Sequence, residues 1–320
     1  MSKHFIFIVN EAAGGGNVRN LWPEIENYLN QLSVDYQSIK THFVGDGIQI
    51  TKQILSALDN YLDDQLVLVA TGGDGTLHEV LNGCKEFYHA HPLTKQVPIS
   101  FLPIGSGNDF ARALKISNNW KIALQQILSV QRPKKLIVGK YHNLNQANTG
   151  YFINNFGIGL DATIVHKANH SKIKHNRFLG KFSYIIAAIN IIRTFEPVKT
   201  TIYYGDNSQY VREFTKGFLI TVTNIPYFGG GVNIVPSAST NEDSLDIVII
   251  EKPTWRQIII FIVNLLAKRH LKLSFVNHFS QKNFTIVTNG DRFGQIDGEE
   301  TSKQSFNINF KTSTYLFWVH

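Results

Sequence analysis

Cysteine is almost absent from this chain: Cys84 is its single instance in 320 residues. That excludes a disulfide framework, points to a reducing compartment, and leaves no thiolate-rich zinc site. A membrane-spanning run is also missing. The longest apolar stretch, Ile258 to Ala267, is interrupted by Asn264 and flanked by Arg256, Lys268 and Arg269, whereas a span needs about 20 such residues. It reads as a buried or surface-lying helix, with core packing the plain explanation and an acyl-chain site the alternative. No targeting segment is visible, since Met1–His4 runs straight into Phe5–Val9, which is too short for a signal-peptide core. The protein is expected to be cytoplasmic. Neither G-x-x-x-x-G-K-[ST] nor a helix-opening G-x-G-x-x-G follows the first strand, so P-loop and dinucleotide readings are disfavoured.

Hydrophobic residues make up 43% and charged ones 17%, the balance of a folded globular protein, and the length suits two domains. The net charge of +7 favours an anionic partner: a nucleotide, an anionic membrane surface or nucleic acid. Residues 166–181 hold five Lys/Arg, three His and no acid. They read either as a solvated loop or as a surface for phospholipid headgroups. Phe178 is the only aromatic there, so base stacking is thin and no nucleic-acid partner is expected.

The first part alternates strand and helix: strands at Phe5–Asn10, Tyr36–Phe43, Leu66–Ala70 and Ile99–Pro103, helices at Val18–Leu32, Ile48–Leu62, from Thr76, at Asp109–Leu114 and at Trp120–Leu128. This predicts an α/β domain over 1–133, a doubly wound, mostly parallel sheet with ligands beyond the strands' carboxyl ends. After Arg132-Pro133 strands dominate: Leu136–Tyr141, Tyr151–Phe156, Thr200–Tyr204, Thr215–Thr223, Leu245–Ile250, Phe284–Thr288 and Phe306–Phe310, with helices at Lys181–Thr194 and Thr254–His270. This predicts a β-sandwich domain over 134–320 and a two-domain α+β chain overall.

The strongest chemical signal is a buried strand ending in Thr71-Gly72-Gly73-Asp74-Gly75-Thr76-Leu77-His78-Glu79. Glycines let the backbone approach a phosphate, and the helix that follows supplies amides and a partial positive charge. Asp74 suits this place if Mg²⁺ lies between it and the phosphates; otherwise Asp74 or Thr76 is a helix cap in a tight turn. Two more glycine loops follow strands, Asn10-Glu11-Ala12-Ala13-Gly14-Gly15-Gly16-Asn17 and Pro103-Ile104-Gly105-Ser106-Gly107-Asn108-Asp109-Phe110. Three such loops at neighbouring strand ends describe a nucleotide-phosphate crevice. Asp297-Gly298-Glu299-Glu300, taken by its residues alone, is a solvent-side hairpin turn.

The Gly-Gly-Asp-Gly-Thr element with the Gly105–Asp109 loop resembles the catalytic domain shared by diacylglycerol, sphingosine and related lipid kinases. The bare element also occurs among NAD kinases and phosphofructokinases. Tyr151–Ala162, Leu179–Tyr184, Pro236–Ile249 and Asp297-Gly298-Glu299 resemble the lipid-kinase β-domain, so the likeness spans nearly the whole chain. The resemblance implies an ATP-dependent lipid kinase of the bacterial diacylglycerol-kinase type, with the lipid lying between the domains. It places ATP against Asn10, Glu11, Ala12, Ala13, Gly14, Thr41, Gly72, Gly73, Asp74, Gly75, Thr76, Leu77, His78 and Ser106. It makes Glu299 the base for the lipid hydroxyl, with Asp74 organising Mg²⁺. It also implies a structural Mg²⁺ on the Asp243 carboxylate and the carbonyls of Thr240 and Leu245, peripheral contact with an anionic membrane, and a C-terminal tail that returns to the first domain. Oligomeric state and the identity of the lipid stay open.

Three positions depart from the family pattern. Glu11 stands where proline is usual and adds negative charge near the phosphates. Ser244 replaces a glycine after Asp243. Ile137 replaces an aspartate that assists the base, leaving Asp297 or Asp161 as substitutes. A kinase of a soluble acceptor and a non-catalytic nucleotide or lipid sensor are the rival readings.

Overall fold

Strands that are apolar at every position must be covered on both faces, and the first third of the chain meets that demand. In a computed structural model, which describes residues 3–57, 65–170, 192 and 194–320, β1 (His4–Val9), β3 (Leu66–Gly72) and β4 (Ile99–Pro103) form the buried centre of a parallel sheet. The polar β2 (Asp35–Lys40) lies beside β1 at the edge. Phe5, Phe7, Val9, Val67, Val69 and Leu102 share one core. Val18, Trp22, Ile25 and Leu29 of α1 (Ala13–Gln31) and Ala123, Leu124 and Ile127 of α5 (Trp120–Ser129) cover it. Helices α2 (Asp46–Ala57) and α3 (Asp74–Ala90) pair through Lys52 and Glu86, 2.9 Å apart. The short α4 (Asp109–Ala113) follows β4.

The chain divides into two units, 1–136 with 229–232 and 314–320 in the first, and 137–228 with 233–313 in the second. The first unit's sheet is completed by the end of the last strand, β17 (Asn307–Phe317), running parallel to β4. There Trp318 is buried, its amide donates to the Ile99 carbonyl at 2.7 Å, and its indole N–H donates to the Ile127 carbonyl at 2.9 Å.

The second unit is antiparallel, a β-sandwich. It contains β5 (Lys134–Asn143), β6 (Asn148–Phe152), β7 (Asn155–Gly159), β8 (Val198–Tyr204) and β9 (Tyr210–Thr223). The hairpin β10 (Tyr227–Phe228) and β11 (Val232–Asn233) precedes β12 (Leu245–Glu251), β13 (Val276–Gln281), β14 (Asn283–Asn289), β15 (Arg292–Ile296) and β16 (Glu299–Gln304). Inward residues of these strands, Phe156, Ile158, Ile202, Ile220, Ile247 and Ile286 among them, make its core. Helix α6 (Leu160–His170) follows β7, and α7 (Trp255–Leu266) follows β12 with a capping box between Thr254 and Gln257.

Several expectations need correcting. The stretch Tyr151–Phe156 is two strands, β6 and β7, interrupted at Ile153-Asn154, because the Asp297 carboxylate gathers the amides of Ile153, Asn154 and Asn155 at 2.8–3.1 Å. Core packing does not account for the apolar run of α7: only Ile258 is fully buried in that helix, and Ile259, Ile260, Ile262, Val263 and Leu266 are exposed. Strands β13, β15 and β16 were not placed by the sequence pattern; their largely polar sequences, with Gly294 inside β15, lack the apolar alternation that marks a strand. The expected end of the second helix at 58–62, most of the Lys181–Thr194 helix, and 171–181 of the basic segment lie outside the described residues. No described helix is long and apolar enough to cross a membrane.

Candidate functional site

Three turns meet at the carboxyl ends of β1, β3 and β4, and glycine is what lets them meet. Gly14, Gly15 and Gly16 all have left-handed φ (+63°, +68°, +86°), so the regular part of α1 begins after them. A Cβ on Gly14 would lie 2.5 Å from the Ile104 carbonyl oxygen. A Cβ on Gly105 would lie 2.4 Å from Gly73 Cα, and the amides of Ile104 and Gly105 both donate to the Gly72 carbonyl at 2.8 Å. Asn10 ties the first turn to the second, its Nδ2 donating to Thr76 Oγ1 at 3.2 Å while its Oδ1 accepts from the Ala12 amide at 3.1 Å. The Thr41 amide donates to the Val9 carbonyl at 2.9 Å, bringing that residue to the end of β1.

Helix α3 starts at this junction with Gly73 as N-cap and no side chain capping it, so its positive end faces outward from the glycine turns. The sequence left Asp74 either at a metal or at a cap. Its Oδ2 accepts from the Asp109 amide at 3.0 Å and its Oδ1 from the Phe110 amide at 3.2 Å, so it caps α4, a helix other than its own. A carboxylate offers about four lone-pair sites. Oxygen donors of this kind fit Mg²⁺. Leu77 is fully buried and its amide donates to the Gly73 carbonyl at 3.2 Å. His78 is half-buried with its Nε2 3.3 Å from Asn82 Nδ2. Ala12 and Ser106 are exposed at their turns.

Sequence reasoning passed over three neighbours. Asp109 is buried, pairs with Arg112, and accepts the Gly230 amide at 2.9 Å. Burial pushes its carboxyl above the ordinary range; the Gly230 amide opposes this and the nearby Asp74 charge adds to it. Asn108 sits in the left-handed region at φ +52°, with its Oδ1 buried and unpartnered. A cavity of about 210 Å³ opens beside this loop, lined by Asn17, Leu21, Ser106, Asn108, Arg112 and Trp120. An Asp-Phe-Ala-Arg string carries no local sign of such roles, because both depend on the distant Asp74 and Gly230.

The added charge of Glu11 is neutralised locally. Lys40 Nζ lies 2.8 Å and Arg19 Nε 3.8 Å from its carboxylate, and the Lys40 hydrogen bond holds its pKa below the usual range.

In the second unit, Asp297 and Gly298 both have positive φ (+51°, +92°) between the paired Ile296 and Glu299, the geometry of a two-residue hairpin turn. The Asp297 carboxylate is occupied by its three amide donors, and Gln295 Oε1 accepts the Gly298 amide at 2.9 Å. Glu299 follows, exposed and without a hydrogen bond or ion pair among the described residues. Glu300, by contrast, pairs with His166 at 2.7 Å, and that imidazole stacks on Phe293. Asp161 is buried with Oδ1 on the Ala162 amide and Oδ2 on Thr221 and Gln295; burial pushes its carboxyl up to about 6 against those hydrogen bonds. Ile137 is a core residue whose carbonyl accepts Asn224 Nδ2 at 2.9 Å.

Two of the residues expected to hold a structural Mg²⁺, Thr240 and Asp243, have protein partners as arranged. Thr240's carbonyl takes the Ile137 amide at 2.7 Å, and Leu245 is buried at the start of β12. Asp243 Oδ1 accepts Thr312 Oγ1 at 2.6 Å while Lys282 pairs with its other oxygen, so an ammonium already neutralises the loop and holds that carboxyl below its usual range. Ser244 makes the turn without a left-handed φ, its amide donating to Glu242's carbonyl at 2.7 Å, so glycine is not needed there. Among the described residues no group of three or more His, Cys, Asp or Glu side chains is arranged to hold a metal ion.

Residues 4–140 match the model of the diacylglycerol kinase catalytic domain, and residues 154–312 that of the YegS C-terminal NAD kinase beta sandwich-like domain. The chain belongs to the diacylglycerol-kinase family of bacterial lipid kinases. It is 29% identical over 313 residues to the "Putative lipid kinase YtlR" of Bacillus subtilis, covering 96% of each chain. It is 27% identical over 312 residues to the "Putative lipid kinase SAS0691" of Staphylococcus aureus, covering 95% of this chain and 93% of the other. The fold matches the crystal structure of a "putative diacylglycerol kinase" from Bacillus anthracis with a TM-score of 0.71 at 24% identity, over 99% and 98% of the two chains.

Proposed function

We propose that the protein transfers the γ-phosphoryl group of ATP to the hydroxyl of a membrane lipid, diacylglycerol or a chemically similar alcohol. The observation that carries this reading is the uncapped start of α3, framed by turns so close that a Cβ on Gly105 would strike Gly73. Amides and a helix dipole aimed outward from glycine turns suit a polyphosphate. Phosphoryl transfer asks a protein mainly for positioning and charge neutralisation. In this reading the turns at Asn10–Gly14 and Gly72–Thr76, with Thr41 and Ser106, hold ATP. Asp74 holds Mg²⁺, and the ion, when bound, neutralises phosphate charge.

Glu299 takes the proton from the lipid hydroxyl. Its carboxylate is exposed and unengaged among the described residues, while Glu300 is tied to His166 and Asp297 to the 153–155 amides. Asp297 thus supports the turn on which the base stands, and it is spent as a substitute for the acid missing at Ile137. The acceptor is a lipid at a membrane surface.

Incubation with labelled ATP and a total lipid extract should label a lipid product. Glu299→Gln should lower kcat by about 10²–10⁴-fold, the usual contribution of a general base. KM for ATP and the melting temperature should not change, because that side chain has no structural partner to lose. Full activity in the variant would remove Glu299 from the mechanism; label appearing only in a water-soluble product would replace the lipid with a soluble acceptor.

A further inference from the structure

Helix α7 is apolar on two faces. Toward the second unit, Ile258 is buried and Phe261 and Leu265 pack against a cluster with Phe218, Val248 and Val276. Away from it, Trp255, Ile259, Ile262, Val263 and Leu266 recur at helical spacing as one outward stripe. Ile259 is 63%, Val263 60% and Leu266 81% exposed. The Thr254–Gln257 capping box fixes the helix start without outside help. A stripe of this size on a single exposed helix marks a docking surface.

The charge around it says what docks. Residues 252–275 contain Lys252, Arg256, Lys268, Arg269 and Lys272 and no acid, and Arg256, Lys268 and Arg269 stand exposed at the two ends of the helix. A second copy is a poor occupant. Packed antiparallel, the Arg256 end of one helix would meet the Lys268 and Arg269 end of the other, with no carboxylate on this stretch to offset them. An anionic bilayer satisfies both features, its acyl boundary receiving the stripe and its headgroups the flanking cations.

We propose that α7 docks the protein on anionic phospholipid membranes, lying in the interface with Trp255, Ile259, Ile262, Val263 and Leu266 toward the acyl chains. This surface stands apart from the phosphoryl-transfer reading, since binding requires neither ATP nor an acceptor.

Vesicles of phosphatidylcholine, with and without phosphatidylglycerol, test it. The protein should sediment with the anionic vesicles, and brominated acyl chains should quench its fluorescence, an effect lost in Trp255→Phe. Ile259→Asn with Val263→Asn should weaken partitioning by about tenfold or more, since two exposed aliphatic side chains no longer enter the acyl boundary. Arg256→Gln with Lys268→Gln and Arg269→Gln should weaken it by at least about tenfold, an effect that added salt imitates in the parent. Both sets replace exposed residues, so melting temperatures should hold; if either falls, the loss of quenching in Trp255→Phe relative to the parent decides. Unchanged vesicle binding in the Asn variants overturns the proposal. So does a concentration-dependent dimer that those variants dissolve in the absence of lipid. Vesicle binding with no labelled product from the total lipid extract leaves this surface standing and removes the proposed reaction.

Discussion

Asp161 and Glu299 show how differently two acids of one sandwich are placed. Glu299 is exposed, whereas Asp161 is buried and burial pushes its carboxyl up to about 6 from the ordinary 3.8. A carboxyl raised in the fold binds more protons folded than unfolded between those values, so the folded state loses stability as pH rises through that window. Two units at 1.36 kcal/mol each set the scale at about 3 kcal/mol. Asp161→Asn removes the titration. In urea unfolding, the stability of the variant relative to the parent should improve steadily from pH 4 to pH 6 and stay level above that. A difference independent of pH would mean that Asp161 is ionised in the fold throughout. None of this was legible in the sequence, where Asp161 stood only as a candidate substitute for the acid missing at Ile137. Its burial comes from Thr221 and Gln295, 60 and 134 residues away.

At the scale of elements, short-range signals were read well and carboxylate caps made across the chain were not. The Asp-Gly pair announces its hairpin because two adjacent residues must take positive φ. The same Asp297 breaking β6 from β7 has no local sign, since its three amide partners lie more than 140 residues away. Glu79 is a parallel case. From the second turn of α3 its two oxygens accept the amides of Gly45 and Gly47 at 2.7 and 2.8 Å, closing the start of α2. Glu79→Gln keeps one acceptor, turns an amide toward the other N–H, and removes negative charge from a helix N-terminus. Hydrogen bonds to a charged group and the helix dipole together put the cost at about 1–2 kcal/mol. Calorimetry should show a melting point lower by a few degrees, and hydrogen exchange should quicken first in α2. If exchange there is unaltered, the Glu79 carboxylate is not what holds that turn.

For the whole molecule, the alternation of strand and helix was enough to predict a parallel α/β unit, and the later run of strands an antiparallel one. Which residues complete each was not readable from the strand pattern; the return of the C-terminal tail to the first unit was implied only by the family resemblance. Phe306–Phe310 patterns as an ordinary strand, yet β17 runs on to Phe317, and its last residues, with Trp318, finish the first unit's sheet. Tyr315 donates to the Val97 carbonyl at 2.8 Å, and the Trp318 carbonyl accepts Ser100 Oγ at 2.8 Å. The tail is therefore core, and its loss is a loss to the first unit. Trp318→Ala leaves a cavity among Trp22, Leu124 and their neighbours and strips the Ile127 carbonyl of its indole donor. Truncation of a buried tryptophan costs about 3–5 kcal/mol. Urea unfolding followed by exchange of the β1, β3 and β4 amides should report a loss of that order, while the β8 and β14 amides keep their protection at low denaturant. A cost under about 1 kcal/mol would show the tail to be a loose appendage, and deletion of Thr314–His320 would then leave ATP binding intact.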